Sequence, residues 1–202
     1  MGAKPANTPR RDAKQERAKQ TIEAIVEAAA QVLIERGYES ATTNRIAERA
    51  GVSVGSLYQY FSDKDAVFER LLERQAARLV EGFARFEPDP RRPLRETLRD
   101  LLRLSISINE YGPEVSRDLA SAPNDLLRHH VSRARLPIVE LLAEVLKLYE
   151  DDLGVQNIDS AAQLIVAASE GVAFYARAEE FNDHLADELA RMFEGYLYSK
   201  AP

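Results

Sequence analysis

The chain has 202 residues, 45% apolar and 30% charged, with no cysteine, which suits a folded globular protein and excludes disulfide frameworks and thiolate metal centres. The longest purely apolar run, Leu164–Ala168, is far too short to cross a bilayer, and no apolar leader follows Met1, so a cytoplasmic protein with no membrane partner is expected. The formal net charge of −6 is unevenly spread: residues 1–64 carry a balance of +2 and the remainder −8.

Residues 1–15 are polar and basic, with Pro5 and Pro9, and read as a disordered arm. A solubilising tail is the bland reading; added phosphate or minor-groove contacts are the functional one. Next, Ile22, Ile25, Val26, Ala29, Ala30, Leu33 and Ile34 recur at helical spacing, and Gly37 ends that helix.

The decisive stretch runs from Thr42 to Lys64. Thr42 or Thr43 caps a short helix with Ile46, Ala47 and Ala50 on its apolar stripe. Gly51 stands where a left-handed residue ends a helix, Val52 plugs the corner, and Ser53 caps the next helix. Over Val54–Phe61, the spacing turns Val54, Leu57 and Phe61 inward. Gly55, Ser56, Gln59 and Tyr60 then face outward, with Tyr58 at the boundary. Ser62 caps a further helix whose first turn holds Asp63 and Lys64. Two short helices joined by a tight glycine turn form a helix-turn-helix, the smallest unit that lays a helix in a DNA major groove. Such binding answers to local rather than whole-chain charge, so the acidic total does not exclude it.

This segment resembles the DNA-binding domain of TetR-type (tetracycline-repressor-like) transcriptional regulators. The likeness rests on Thr42-Thr43, Ile46-Ala47, Ala50-Gly51-Val52-Ser53, Gly55-Ser56-Leu57-Tyr58, Tyr60-Phe61-Ser62 and Lys64, and it reaches upstream to Gly37-Tyr38. It departs at Asn44-Arg45 and at Val54, near the expected DNA contacts. The resemblance implies an all-α protein of about nine helices. An N-terminal three-helix DNA-binding domain (residues 16–64) would precede a C-terminal effector-binding and dimerisation bundle (65–202).

The expected DNA-binding residues are Thr42, Thr43, Asn44, Arg45, Ser53, Val54, Gly55, Ser56, Tyr58, Gln59, Tyr60 and Lys64. Among them, Tyr58, Tyr60, Lys64, Thr42 and the Asn44-Arg45 helix start would hold phosphates. Gly55, Ser56 and Gln59, with Asn44 or Arg45, would read bases, and Gln59 suits bidentate pairing with adenine.

Farther on, a long helix over 63–86 ends at Glu87-Pro88-Asp89-Pro90. The helix over 93–110 is apolar nearly all round from Leu101 to Ile108, which predicts a bundle interior. There Ser105 and Asn109 need polar partners. A short helix over 113–122, a longer one over 124–149 bent near Pro137, and a loop over 151–157 follow. The last two helices, 158–179 and 183–198, form a hairpin of small against bulky residues. Two such hairpins would join a homodimer through Ala168, Gly171, Leu185, Leu189, Met192, Phe193 and Tyr196, as the family resemblance implies.

A small apolar or amphipathic effector is expected among the helices over 63–86, 93–110, 124–149 and 158–179. Its candidate lining is Phe83, Phe86, Leu101, Ser105, Ile108, Asn109, Tyr111, Ser169, Val172 and Tyr175, with Glu170 able to meet a cationic group if it points inward.

Catalysis is not expected. Gly51-Val52-Ser53-Val54-Gly55 matches G-x-S-x-G literally, but a nucleophile elbow needs a preceding strand, and the flanks here are helical. His129 and His130 point about 100° apart on a helix and cannot share a metal. His184 stands alone, and no cofactor or metal is indicated. The sequence therefore reads as a ligand-responsive repressor binding a near-palindromic double-stranded operator as a homodimer. The alternative is a helical small-molecule binding protein or enzyme with a vestigial helix-turn-helix.

Overall fold

The computed structural model of the chain describes residues 8–108, 111, 115, 117–119, 122, 126–175, 180 and 182–199. Eight α-helices are delimited among them: α1 (Thr8–Ser40), α2 (Thr43–Ala50), α3 (Val54–Tyr58), α4 (Lys64–Ala84), α5 (Leu94–Ile108), α6 (Leu126–Lys147), α7 (Ile158–Tyr175) and α8 (Asp183–Tyr198). Helical backbone also occurs at 115 and 117–119, and a single 3-10 turn spans Glu150–Asp152. No strand occurs among the described residues.

The chain forms two compact units that divide between Leu71 and Leu72, within α4. Residue 64 was the expected boundary. Val67, Phe68 and Leu71 move it, because all three are fully buried and belong to the first unit.

In the first unit α1, α2, α3 and the start of α4 share one core. Ile25, Val26, Ala29, Ala30 and Leu33 of α1 are fully buried, as are Ile46 and Ala47 of α2 and Leu57 of α3. Each of α2 and α3 is too short to persist alone, so this shared burial is what holds them. Two expectations for α1 change. Residues 8–15 are helical rather than a disordered arm, while residues 1–7 lie outside the described residues. Pro9 is tolerated in a first helical turn, and Ala13-Lys14-Gln15-Glu16-Arg17 are good helix formers. Ile34 is 47% exposed. Twelve residues beyond Ile22, it has rotated about 120° away at roughly 100° per residue. At Gly37 the backbone leaves the helical region (φ 71°, ψ 167°), as expected for a terminator.

In the second unit α5 packs on α8, and α6 on α7. Their core includes Leu94, Leu98, Leu101, Leu142, Leu146, Ala161, Ala162, Ile165, Phe193 and Leu197. Buried Thr97 shares a 2.9 Å hydrogen bond with Tyr149 Oη, which also donates to the Asp89 carbonyl at 3.2 Å, so this buried polar cluster is satisfied.

Across α5 and α8 runs a ladder of ion pairs: Arg95–Glu194 (3.5 Å), Arg99–Asp187 (3.7 Å) and Arg103–Asp183 (3.0 Å). Residue numbers rise on one helix as they fall on the other, so the two are antiparallel. The expectation that α5 is interior from Leu101 to Ile108 is corrected here. Leu102 to Ile106 and Ile108 are only half-buried, since Arg103 keeps one side of the helix at the surface. Ser105 and Ser107 satisfy their hydroxyls on the Leu102 and Leu104 carbonyls at 2.8 Å. Pro137 lies within α6.

The 153–157 loop closes against the end of α8, where Gly154 N–H donates to the Leu197 carbonyl at 2.8 Å. A Cβ on Gly154 would lie 2.4 Å from the Ser199 carbonyl oxygen. Backbone on both sides would have to move. Gly154→Ala should therefore destabilise the protein by about 1–3 kcal/mol in chemical denaturation. Gly195→Ala, where nothing lies within 4 Å, should be neutral or slightly stabilising.

Candidate nucleic-acid interface

The turn between α2 and α3 has the geometry its sequence demands. Gly51 adopts φ 68°, ψ 28°, a left-handed conformation that side chains strain to reach. Its N–H donates to the Glu48 carbonyl (3.2 Å) and the Val52 N–H to that of Ala47 (3.0 Å), closing α2 in a Schellman arrangement. Thr42 caps α2 by accepting from Arg45 N–H at 3.3 Å. Ser53 caps α3 by accepting from Ser56 N–H at 3.0 Å, and the Ser53 and Ser56 hydroxyls are 2.8 Å apart.

Helix α3 is shorter than expected. It covers Val54–Tyr58, and Gln59 and Tyr60 continue as a turn, with Tyr60 and Phe61 N–H both donating to Leu57 O at 3.0 Å. Leu57 and Phe61 face the core as predicted. Val54 does not: it is 36% exposed, because only the later residues of so short a helix reach over the core. Gly55, Gln59 and Tyr60 are exposed, Ser56 is half-buried, and Tyr58 is 52% exposed rather than at a boundary. Tyr58 Oη lies 3.1 Å from Thr43 Oγ1, a hydroxyl pair that ties α3 to the start of α2.

Asn44 and Arg45 are exposed on the first turn of α2, and the Arg45 guanidinium donates to the Ser40 carbonyl at 2.5 Å. Lys64 is partly engaged. Its Nζ donates to the Tyr38 carbonyl at 2.9 Å and sits 3.8 Å from the Tyr38 ring centroid, where cation and π face attract. Up to two of its three N–H groups stay free for an anion.

Sequence reasoning missed the cluster that fixes Lys64. Buried Tyr38 donates its hydroxyl to Asp65 Oδ1 at 2.5 Å, and its ring packs on Phe68 with centroids 5.7 Å apart. Burial and then the Asp65 hydrogen bond raise the phenol well above its ordinary range. The cap of α4 is also corrected. Asp63, not Ser62, accepts from the Ala66 N–H (2.8 Å), while Ser62 donates to Asp63 Oδ2 (2.9 Å). The Ala66 N–H, with lesser help from Ser62, holds the Asp63 carboxyl below its usual range.

Of the residues named for an effector, Phe83, Phe86 and Val172 pack against the core cluster that holds Leu101. Leu101 belongs to the core, Tyr175 is 80% exposed, and Asn109 lies outside the described residues. Phe83, Phe86, Ser105, Ile108, Tyr111, Ser169 and Val172 are half-buried. Ser169 donates to the Ile165 carbonyl, and Tyr111 accepts from Arg74. Glu170 faces Arg135 at 3.5 Å, with burial raising its carboxyl. A cleft of about 120 Å³ does occur in this unit, but Arg95, Arg99, Asp187, Ala190 and Arg191 line it.

Of the dimer set, Leu189 and Phe193 are buried inside their own unit. Met192 (53%) and Tyr196 are exposed, while Ala168, Gly171 and Leu185 are half-buried. The literal G-x-S-x-G stretch forms the helix cap and turn already described. His184 is exposed, and the His129 and His130 side chains lie outside the described residues. No cluster of metal-ligating side chains occurs among the described residues.

The family model for bacterial regulatory proteins of the tetR family matches residues 25–71, which spans this turn and its flanking helices. The fatty acid metabolism regulator protein of Bacillus subtilis (strain 168) is 30% identical over 135 residues, 66% of this chain and 67% of that protein. The chain belongs to the tetR family.

Two solved structures share the fold of this tetR-family chain. The fatty acid degradation regulator FadR from Bacillus halodurans has a TM-score of 0.72 at 22% identity, over 87% of this chain and 95% of that one. The regulator FadR from Bacillus subtilis, in complex with stearoyl-CoA, has 0.66 at 18%, over 85% and 96%. Other curated relatives, an activator, a receptor and a repressor, match over only 38%, 24% and 38% of their lengths.

Two measurements test the local geometry. Asp63→Ala should cost about 1 kcal/mol through the lost cap, and Ser62→Ala distinctly less, by denaturation. Tyr38 holds its proton more tightly when folded. Its contribution is therefore whole below about pH 10, the unfolded value, and lost as pH rises toward the higher folded one. Stability should fall in alkali, and the fall should be shallower in Tyr38→Phe.

Proposed function

We propose that the protein is a ligand-responsive transcriptional repressor that grips a near-palindromic operator as a homodimer. The observation that carries this is the exposed face around the capped turn: Asn44 and Arg45 at the start of α2 and Gly55, Tyr58, Gln59 and Tyr60 on and just after α3 are all exposed. A face of hydroxyls, an amide and two phenols around a bare glycine suits close approach to sugar-phosphate and base edges. Arg45, Lys64, Thr42, Tyr58 and Tyr60 hold phosphates, while Gln59 and Ser56 read bases.

Pairing uses the exposed side of α7 and α8. Leu164, Ala168, Gly171 and Tyr175 follow one another at helical spacing on α7, and Leu164 and Tyr175 are exposed. Nothing lies within 4 Å of a Cβ built at Gly171 or Gly195, so a second copy can approach closely there. Two readers about 34–36 Å apart then meet successive major grooves. The effector is amphipathic, with a long apolar portion. The stearoyl-CoA held by the Bacillus subtilis FadR, together with the half-buried apolar residues of the second unit, supports that class. It acts only through its different affinity for the DNA-competent and incompetent states.

Selection of random duplexes with the full-length protein should enrich a near-palindrome; no enriched sequence would remove the DNA reading. Arg45→Ala should weaken binding across sequences and flatten the salt dependence by about one unit of slope per lost phosphate contact. Met192→Glu with Tyr196→Glu should yield monomers in sedimentation and weaken operator binding. Stearoyl-CoA should release the operator in a mobility-shift titration, and an unchanged affinity would rule out this effector class.

A further inference from the structure

We infer that Val54 reads the C5-methyl group of a thymine in each half-site, an inference that rests on the DNA-binding function proposed above. Ser53 pins the start of α3, and Val54 follows as its first residue, 36% exposed. The other exposed residues from Ser53 to Tyr60 are a hydroxyl, a bare glycine, an amide and two phenols, so Val54 is the only aliphatic group on that face. Gly55 beside it has only Ser53 Oγ within 4 Å of a built Cβ, at 3.8 Å, so a flat partner can come close to the backbone next to the partly exposed Val54.

The chemistry of that face narrows the partner further. Ser53 to Asp63 contains no lysine or arginine, so the fork that reads guanine O6 and N7 is missing from α3. The nearby cation Arg49 is committed to Glu35 through two hydrogen bonds, at 2.8 and 2.6 Å. With Arg45 assigned to phosphate, what α3 and its following turn offer suits A·T pairs: the Gln59 amide for adenine N6 and N7, and an aliphatic group for the methyl that only thymine carries among the ordinary bases. The early residues of a recognition helix reach base edges, and Val54 occupies that place.

The experiment takes the sequence enriched by the full-length protein and replaces each thymine in turn with deoxyuridine, which removes one methyl and leaves base pairing intact. Fluorescence anisotropy should find one position per half-site where uracil weakens binding about fourfold, the factor expected for one buried methyl. Val54→Ala should bind the thymine and uracil duplexes equally, with circular dichroism confirming that the variant is folded. The inference fails if no thymine responds, or if Val54→Ala keeps the same discrimination. A protein that enriches no sequence overturns the underlying DNA-binding function instead, an outcome distinct from both.

Discussion

The left-handed residue at Gly51 is the constraint on which the first unit depends. Two hydrogen bonds close α2 onto its carbonyls, and the chain leaves the turn already aimed into the Ser53 cap of α3. A residue with a Cβ at φ 68° would be strained whatever space surrounds it. Helix α3 has five residues and one fully buried side chain, too little to fix its own direction. Direction comes from the turn, and the Leu57 anchor and the Thr43–Tyr58 hydroxyl pair then hold it.

Much of this unit was legible in the sequence because its signals are local. Gly51, Ser53 and Thr42 each act within a few residues and each has its expected conformation, and the α1 periodicity holds from Ile25 to Leu33. The Tyr38–Asp65 hydrogen bond and the Lys64–Tyr38 contact escaped because they join residues 26 or 27 apart, and no spacing rule connects them. Val54 was misjudged because a periodicity extended over Val54–Phe61 assumes a helix that long, and the helix stops at Tyr58. Asp63 displaced Ser62 as the α4 cap because adjacent capping residues compete, and sequence does not say which will be the last non-helical one.

The second unit was harder to read for a different reason. Its helices, their loops and the Asn157–Ile158 start of α7 follow from composition and breakers. Which face of each helix meets which neighbour does not. The stretch from Leu101 to Ile108 looked interior by apolar count, yet Arg103 within it is held at the surface by Asp183 of α8. Leu101 and Phe193, chosen for an effector and a partner, are committed to their own core. Separate contributions of apolar side chains to core, pocket and interface leave the same mark in sequence.

The acid–base rungs between α5 and α8 carry a further implication. Exposed pairs of this kind add little stability individually. As a set they encode alignment: arginines one turn apart meet acids spaced along the opposite helix, so sliding either rod by a turn leaves a charge at each end of the ladder without its partner. Reversing the sign at a single rung would misalign the set, whereas swapping both members of a rung preserves it. Homologous chains should accordingly vary at these six positions by joint exchange rather than one residue at a time.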